Sequence, residues 1–365
     1  MKALVIMKMK WNRITLQDCI DFKNGKKRPS AEGKYPVYGG NGILGYADDY
    51  NNENCVIIGR VGAYCGSVYY EPDKCWISDN AIVAKAKDQS DINFIYYLIS
   101  GLYLNQRHIG TGQPLLTQDI LNRIECLVPD IDIQKEISSI LNNFDKKIKL
   151  NIAINNNLQE QAQAIYTNMF ISNSDDAWPA GVLSDITEIT MGQSPKGDTY
   201  NEDGIGTVFF QGRAEFGFRF PTRRLFTTNP KRMSQANDVL LSVRAPVGDL
   251  NVAYEPCCIG RGLGAIHSKD GHQSFTLYTM FSLRQKLDMF NGEGTVFGSI
   301  NRDALNSMEM NIPPVELIDR FEELISPMDA AIRSNYEEIC RLTSIRDNLL
   351  PRLMSGEIDV SDTNL

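Results

Sequence analysis

The 365-residue sequence lacks several features that would announce a particular chemistry. It has three histidines, and its eight cysteines (Cys19, Cys55, Cys65, Cys75, Cys126, Cys257, Cys258, Cys340) form no Cys-x-x-Cys pair, which argues against a zinc site or other metal site. The thiols are expected to be reduced and mostly packed. No stretch approaches the roughly 18 apolar residues of a membrane span, and the apolar run Ala3 to Met7 is too short for the core of a secretory signal. A cytoplasmic protein is expected. Basic excess is missing too: 37 Lys and Arg stand against 45 Asp and Glu, a net charge of −8. Taken as a sum, that argues against a nucleic-acid partner, because phosphate neutralisation by Lys and Arg supplies most non-specific affinity for DNA.

The distribution of charge says more than the sum. With 42% hydrophobic and 22% charged residues the composition is that of a globular protein, and the length suffices for two domains with a core each. Between Lys23 and Lys34 the chain carries Lys23, Lys26, Lys27, Arg28 and Lys34 against one acid, Glu32. Between Phe209 and Arg232 it carries Arg213, Arg219, Arg223, Arg224, Lys231 and Arg232 against Glu215. One such cluster is an ordinary solvated loop. Two clusters, one in each half, point to a pair of anion-facing surfaces.

The halves repeat one another. Leu16, Asp18 and Gly25 match Leu183, Asp185 and Gly192 at an offset of 167. From Arg60–Pro72 (RVGAYCGSVYYEP) against Arg244–Pro256 (RAPVGDLNVAYEP) the offset is 184. That offset holds through Gly110-Thr111 and Gly294-Thr295, Asp119 and Asp303, Leu121-Asn122 and Leu305-Asn306, Glu125 and Glu309, Pro129 and Pro313, Asp145 and Asp329, and Leu158 and Leu342. The step between the two offsets places a 17-residue insertion in the second copy between Gly192 and Arg244, across its arginine-rich stretch. The copies therefore differ where a ligand-reading surface would differ.

Each copy opens with a Gly-, Tyr- and Asn-rich region of short β-type runs (Cys55–Ile58, Val68–Tyr70, Ala81–Val83, Val239–Val243) and turn signals such as Gly39-Gly40-Asn41-Gly42. A helical segment is expected near Asn93 to Asn105. Beyond Pro129 and Pro313-Pro314 the period becomes helical. The first apolar line is Ile133, Ile137, Ile140, Phe144, Ile148, Leu158, Ala162, Ile165 and Met169; the second is Ile318, Phe321, Ile325, Met328, Ile332, Ile339, Leu342, Ile345, Leu349 and Leu353. Such a stripe predicts a long helix, about 60 Å at ~1.5 Å per residue, packed along one seam against another helix; a helix folded back on its own domain is the alternative. The first line is weakest at Asn151, Asn155, Asn156 and Asn157, which leaves room for a local break. The expected fold is α+β with a pseudo-two-fold internal repeat: two similar mixed α/β domains (1–130 and 173–313) separated by two long antiparallel coiled-coil helices (131–172 and 314–356), then a tail (357–365).

YPVYGGNGILGY (Tyr35–Tyr46), IIGRVGAYCGSV (Ile57–Val68), GTGQPLLTQDILNRIECLVPDIDIQKEI (Gly110–Ile137), IPPVELIDRFEELI (Ile312–Ile325) and LLPRLMSGEIDV (Leu349–Val360) carry a family likeness over nearly the whole chain. The chain resembles the specificity (S) subunits of type I restriction-modification systems. The resemblance implies two target recognition domains, each reading one half of a split double-stranded DNA site, and two spacer helices that act as a ruler. It also implies a non-catalytic subunit that binds two methyltransferase (M) subunits, which methylate adenine at N6, and restriction (R) subunits. No cofactor is then expected on this chain, with S-adenosylmethionine, ATP and Mg on the partners. A coiled-coil scaffold whose heads bind protein, and a subunit of a related methyltransferase system outside type I, are the competing readings.

Base-reading residues do not transfer by motif, so the candidates rest on chemistry: Arg forks to guanine, and Asn or Gln pairs with adenine. In the first domain they are Lys26, Lys27, Arg28, Asn41, Arg60 and Gln113; in the second, Arg213, Arg219, Arg223, Arg224 and Arg244. Arg60 and Arg244 are repeat equivalents, and each has a structural alternative as the tie of a strand end. Lys26, Lys27, Arg223 and Arg224 suit phosphate better than bases. Catalytic patterns fail on inspection. Asn311-Ile312-Pro313-Pro314 splits Asn from its prolines, Gly260-Arg261-Gly262-Leu263-Gly264 has no helical pattern directly after it, and Asp21 with Glu32 and Lys34 has no counterpart in the second copy. His108, His267 and His272 sit near no nucleophile motif.

Overall fold

The computed structural model describes residues 11–110, 112–292 and 298–360. The apolar run Ala3 to Met7, the last five residues of the tail, and the repeat members Thr111, Gly294 and Thr295 lie outside the described residues. Two compact units divide the chain, the cuts falling at Asn151/Ile152 and Tyr336/Glu337. Both cuts lie inside the long helices, so helices and heads are not the separate domains expected at 131–172 and 314–356. The reason is packing: in each unit the head shares one core with stretches of both helices. Ile137, Leu141 and Leu353 join Leu16, Phe94 and Leu121 in the first, and Ala162, Tyr166, Phe321 and Ile325 join Leu183, Phe275 and Leu305 in the second.

In the first unit β1 (Trp11–Thr15) pairs antiparallel with β9 (Glu125–Pro129). β2 (Ile20–Asn24), β5 (Cys55–Gly59), β6 (Val68–Glu71) and β8 (Ala81–Ala86) form an antiparallel sheet of order β2-β8-β5-β6. β3 (Tyr35–Gly39), β4 (Gly42–Ala47) and β7 (Trp76–Ile77) form a smaller sheet of order β4-β3-β7, with β3 and β7 parallel. All five residues of β5 are buried. Its alternate side chains go to different cores: Val56 and Ile58 pack with Phe94, Ile95 and Leu98 of the helix Ile92–Ser100, while Cys55 and Ile57 pack with Tyr38 and Ile77 of the smaller sheet. That is why the strand reads as a continuous apolar run. The helix starts on Asp91, whose carboxylate accepts the Phe94 N–H at 2.8 Å, and stops at Gly101.

The second unit repeats the plan. β10 (Ala180–Val182) pairs with β20 (Glu309–Asn311). β11 (Thr187–Met191), β16 (Val239–Ser242), β17 (Leu250–Val252) and β19 (Leu263–Ser268) form a sheet of order β11-β19-β16-β17. β12 (Tyr200–Asn201), β13 (Thr207–Phe210), β14 (Phe226–Thr227), β15 (Met233–Ser234) and β18 (Cys257–Ile259) form the outer sheet, with β13 and β18 parallel. Val239 and Leu241 face the helix Gln273–Ser282, and Leu240 faces the outer sheet.

The repeated residues hold equivalent jobs. Leu16 and Leu183 are fully buried, and their N–H groups donate to Ile124 and Met308 carbonyls at 2.9 Å. Asp18 accepts the Thr15 N–H and hydroxyl, which holds its carboxyl below the usual range, and Asp185 accepts the Val182 N–H. Gly25 and Gly192 pass so close to the opposite chain that a Cβ would lie 2.0 Å from Ser78 O and 2.1 Å from Gly260 O. Only glycine permits that approach.

The first long helix runs unbroken from Ile131 to Tyr166 and continues in π-helical turns to Ser172; the second runs from Val315 to Met354. The break admitted at Asn151–Asn157 does not occur. Asn151 and Asn155 are 1% and 2% exposed, and their amides are used. In the first unit Asn151 Nδ2 donates to Glu338 Oε2 at 2.7 Å, and this bond, with Lys147 at 3.3 Å, holds Glu338 below the ordinary carboxylate range. In the second, Asn155 Nδ2 donates to Ile332 O at 3.3 Å and its Oδ1 accepts from Asn335 Nδ2 at 2.8 Å. Satisfied amides cost the seam little. Ile137, Ile148, Ile318, Phe321, Ile325 and Ile332 are buried; Ile133, Ile140, Phe144, Leu158, Ile165, Met328, Ile339, Leu342 and Leu349 are half-buried. Leu141, Tyr166 and Phe170, absent from the expected line, lie deeper than most of it. Within each unit the paired stretches run antiparallel: Asp145 meets Arg346 and Asn151 meets Glu338 in one, Tyr166 meets Phe321 and Asn155 meets Asn335 in the other.

The repeat-equivalent Asp145 and Asp329 each clamp a helix to its head. Asp145 accepts from Tyr97 Oη at 2.6 Å and Arg346 Nη1 at 2.6 Å. Asp329 accepts from Tyr278 Oη at 3.0 Å and Arg219 Nη1 at 3.1 Å. Burial pushes both tyrosine hydroxyls up, so they stay donors. Seven of the eight cysteines are buried and none is disulfide-bonded; burial pushes the Cys257 thiol up to about 12. No helix among the described residues is long and apolar enough to cross a membrane. Replacing Asp329 by Ala leaves Arg219, 4% exposed, without its acid, and is expected to cost ~3–5 kcal/mol in chemical denaturation. A loss of a few tenths would mean that the clamp is incidental.

Candidate nucleic-acid interface

With both faces of its four-stranded sheet covered, the first head leaves free the end where β2 and β5 finish and β8 begins. Backbone bonds gather the loops there: Gly25 N–H to Ala81 O, Lys26 N–H to Ile77 O, Arg60 N–H to Asn80 O, Leu116 N–H to Arg60 O and Gly62 N–H to Pro114 O. Ser67 Oγ donates to Gly40 O, which draws in the β3–β4 turn beside Gly59. All six first-domain candidates therefore meet at one sheet end. Lys26, Lys27, Asn41 and Gln113 are exposed. Arg28 is exposed as well, and its Nη1 donates to Leu44 O at 3.3 Å, which commits it to the hairpin. Arg60 donates from Nη1 to Asp79 O at 3.4 Å, and its Nε faces no partner among the described residues. Its backbone ties the strand end while its guanidinium stays largely unspent. Beside them a cleft of about 380 Å³ is lined by Lys23, Asn24, Lys26, Asn52 and Lys85 together with one acid, Asp21; of these Asn24, Asn52 and Lys85 were not foreseen.

The second head builds the same end from different residues. Gln193 N–H donates to Ile259 O at 2.9 Å, as Lys26 does to Ile77 O. Arg244 is exposed, with no side-chain partner among the described residues, and its backbone bridges to Ser299. Gln193, Gln211 and Arg261 are exposed here and were missed, although Gln193 lies at the 167 offset from Lys26. β3 and β13 are equivalent, each lying parallel to the strand β7 or β18. Where β3 turns into β4 through Gly40-Asn41, β13 reaches β14 through residues 211–225, which takes up most of the insertion.

That loop carries its arginines already paired. Arg213 is ion-paired with Asp249. Arg223 Nε lies 2.6 Å from Glu255, with the guanidinium over the Tyr254 ring. Arg224 meets Glu215 at 2.5 Å and Glu202 at 3.4 Å; the Glu215 carboxylate holds it above the usual guanidinium range. Glu215 is itself buried, so Arg224 is fixed in place. Arg219 is a correction: it is not an exposed loop cation but is buried, with its guanidinium turned to Asp329 and Tyr278. Sequence spacing cannot show an arginine meeting an aspartate 110 positions away. Arg213 and Arg223 are about half exposed, and such surface pairs are weak enough to exchange the carboxylate for a phosphate.

The chain is thus an internally duplicated α/β protein whose two heads each gather amide and cationic side chains at the same sheet end. Comparison with known proteins narrows the class. The family model described as type I restriction modification DNA specificity domain matches residues 8–160 and again 176–335. The chain belongs to that family. It is 27% identical over 329 residues to a putative type I restriction enzyme MjaX specificity subunit of Methanocaldococcus jannaschii, covering 83% of this chain and 76% of the relative. It is 32% identical over 112 residues to the type I restriction enzyme EcoprrI specificity subunit of Escherichia coli, covering 30% and 28%. Its fold resembles the crystal structure of a type I restriction-modification system S subunit from M. genitalium, with a TM-score of 0.68, 16% identity and 98% of each chain covered.

Changing Lys26 and Lys27 to Ala is expected to lower the salt dependence of DNA binding by about 2 in log–log slope. Arg219→Ala is expected to destabilise the second unit and leave that slope unchanged. Anisotropy titrations at several salt concentrations separate the two.

Proposed function

We infer that this chain is the DNA-recognition subunit of a type I restriction-modification complex, binding a bipartite, asymmetric double-stranded site with one head per half-site. The observation that carries the reading is the repeated sheet end. Equivalent backbone bonds present Lys26 in one head and Gln193 in the other, and the next strand end carries an arginine in both: Arg60 holds its backbone bonds in the first head, while in the second Val243 holds them and Arg244 stands one position further on. Residue types that differ on a shared frame suit two readers of different bases. Two readers on one chain add their binding energies, so modest contacts in each head suffice for a specific site. The chain acts by positioning: two methyltransferase subunits, carrying S-adenosylmethionine and modifying adenine at N6, and restriction subunits, carrying ATP and Mg, are the partners it would place on DNA.

The test is gel shift and footprinting of the chain reconstituted with its methyltransferase subunits on random duplexes. Enrichment of a split motif is expected; binding with no bipartite preference overturns the reading in favour of a scaffold whose heads bind protein. Deleting seven residues from each long helix is expected to change the number of unread base pairs while both half-sites stay the same, as read by sequencing the methylated motif.

A further inference from the structure

We propose that the tip of the β3–β4 hairpin reads thymine, with Ile43 and Leu44 taking up C5-methyl groups in the major groove and Asn41 pairing with an adjacent adenine. The proposal rests on the DNA-recognition reading and adds the chemical class of base that the first head requires. Ile43 is 50% exposed, Leu44 44% and Tyr46 52%, all on β4, the edge strand of its sheet. An edge strand with bare apolar side chains is an aggregation hazard unless something covers it. Ile43 is paired with Tyr38 and Leu44 lies over Gly39; these two neighbours on β3 point to opposite faces, so Ile43 and Leu44 put apolar surface on both sides of the hairpin, which is two-stranded from Gly39 to its tip. A flat partner covers one side; a slot covers both. The major groove of B-DNA admits such a ribbon, and the apolar feature a base pair shows there is the thymine methyl.

Charge favours DNA over a protein groove. No acid lies between Tyr35 and Ala47, while Lys26 and Lys27 are exposed at the same sheet end. The tip is also held in shape. Arg28 binds Leu44 O, and its guanidinium lies so close to Gly45, at φ +143°, that a Cβ there would be 2.5 Å from Nη2. Leu44 in turn covers Gly39. In the second head the long loop 211–225 stands where this ribbon would be, so one half-site alone should depend on thymine methyls.

The experiment uses the full chain assembled with its methyltransferase subunits. A motif is selected from random duplexes, and deoxyuridine then replaces thymine in each half-site separately. Affinity is expected to fall about four-fold per methyl removed in one half-site and to be unaffected in the other. Ile43→Ala with Leu44→Ala should bind thymine and deoxyuridine duplexes equally, while its preference at the other half-site shows that the chain is folded. Equal wild-type binding of thymine and deoxyuridine duplexes overturns the proposal, as does a double variant that still discriminates. Failure of the double variant to assemble, with wild-type binding indifferent to deoxyuridine, assigns the tip to a protein partner instead. If selection enriches no sequence, the DNA-recognition reading itself fails.

Discussion

Burial of a four-stranded sheet on both faces is the constraint from which the rest of each head follows. A helix covers one face and a second sheet the other, so neither face is free to meet a ligand. The sheet has only its ends to offer, and the loops that leave them must stay close to backbone for lack of room. Gly25 and Gly192 mark that crowding: each lets the chain pass where no side chain would fit. Once past the glycine, the next residues are presented from a rigid edge and can vary without cost to the core. Lys26 in one head and Gln193 in the other hold the same backbone bond and offer different chemistry.

The long helices answer a different demand. Their seam is shared between the opposite helix and the head, which is why the two compact units cut through the helices rather than around them. Apolar residues alone would let such a seam slip. Leu141, Ile148, Asn155 and Ala162 follow one another at heptad spacing, and the amide among them is met by Asn335. A paired polar residue at such a position fixes register, because a slipped alignment would strand it without a partner. The clamps at Asp145 and Asp329 add a second check, from helix to head.

Legibility in the sequence followed the range of the interaction. The duplication, the long helices and the apolar strands were readable because they depend on spacing within a few residues. So was the exposure of Lys26, Lys27 and Asn41, which sit next to turn glycines. Asn151 and Asn155 looked like weakness in the helix because their partners, Glu338 and Asn335, lie on the other long helix. Arg219 looked like a ligand-facing cation for the same reason. Gln193 carried no charge to draw notice, and only the repeat offset would have found it. Composition reveals a cluster of cations; it cannot reveal which of them are already spent.

The paired arginines of the inserted loop bear on how the molecule would approach a polyanion. Arg213, Arg223 and Arg224 carry their counter-charges with them, and Arg219 is inside. Seen from a distance the loop is close to neutral, whereas Lys26 and Lys27 have no paired acid among the described residues. Long-range attraction depends on uncompensated charge. Toward a polyanion the inserted loop would therefore act only at short range, by trading carboxylates for phosphates, and any attraction from a distance would fall to cations with no paired acid among the described residues, Lys26 and Lys27 in one head and Arg244 in the other, a division of labour that a count of arginines conceals.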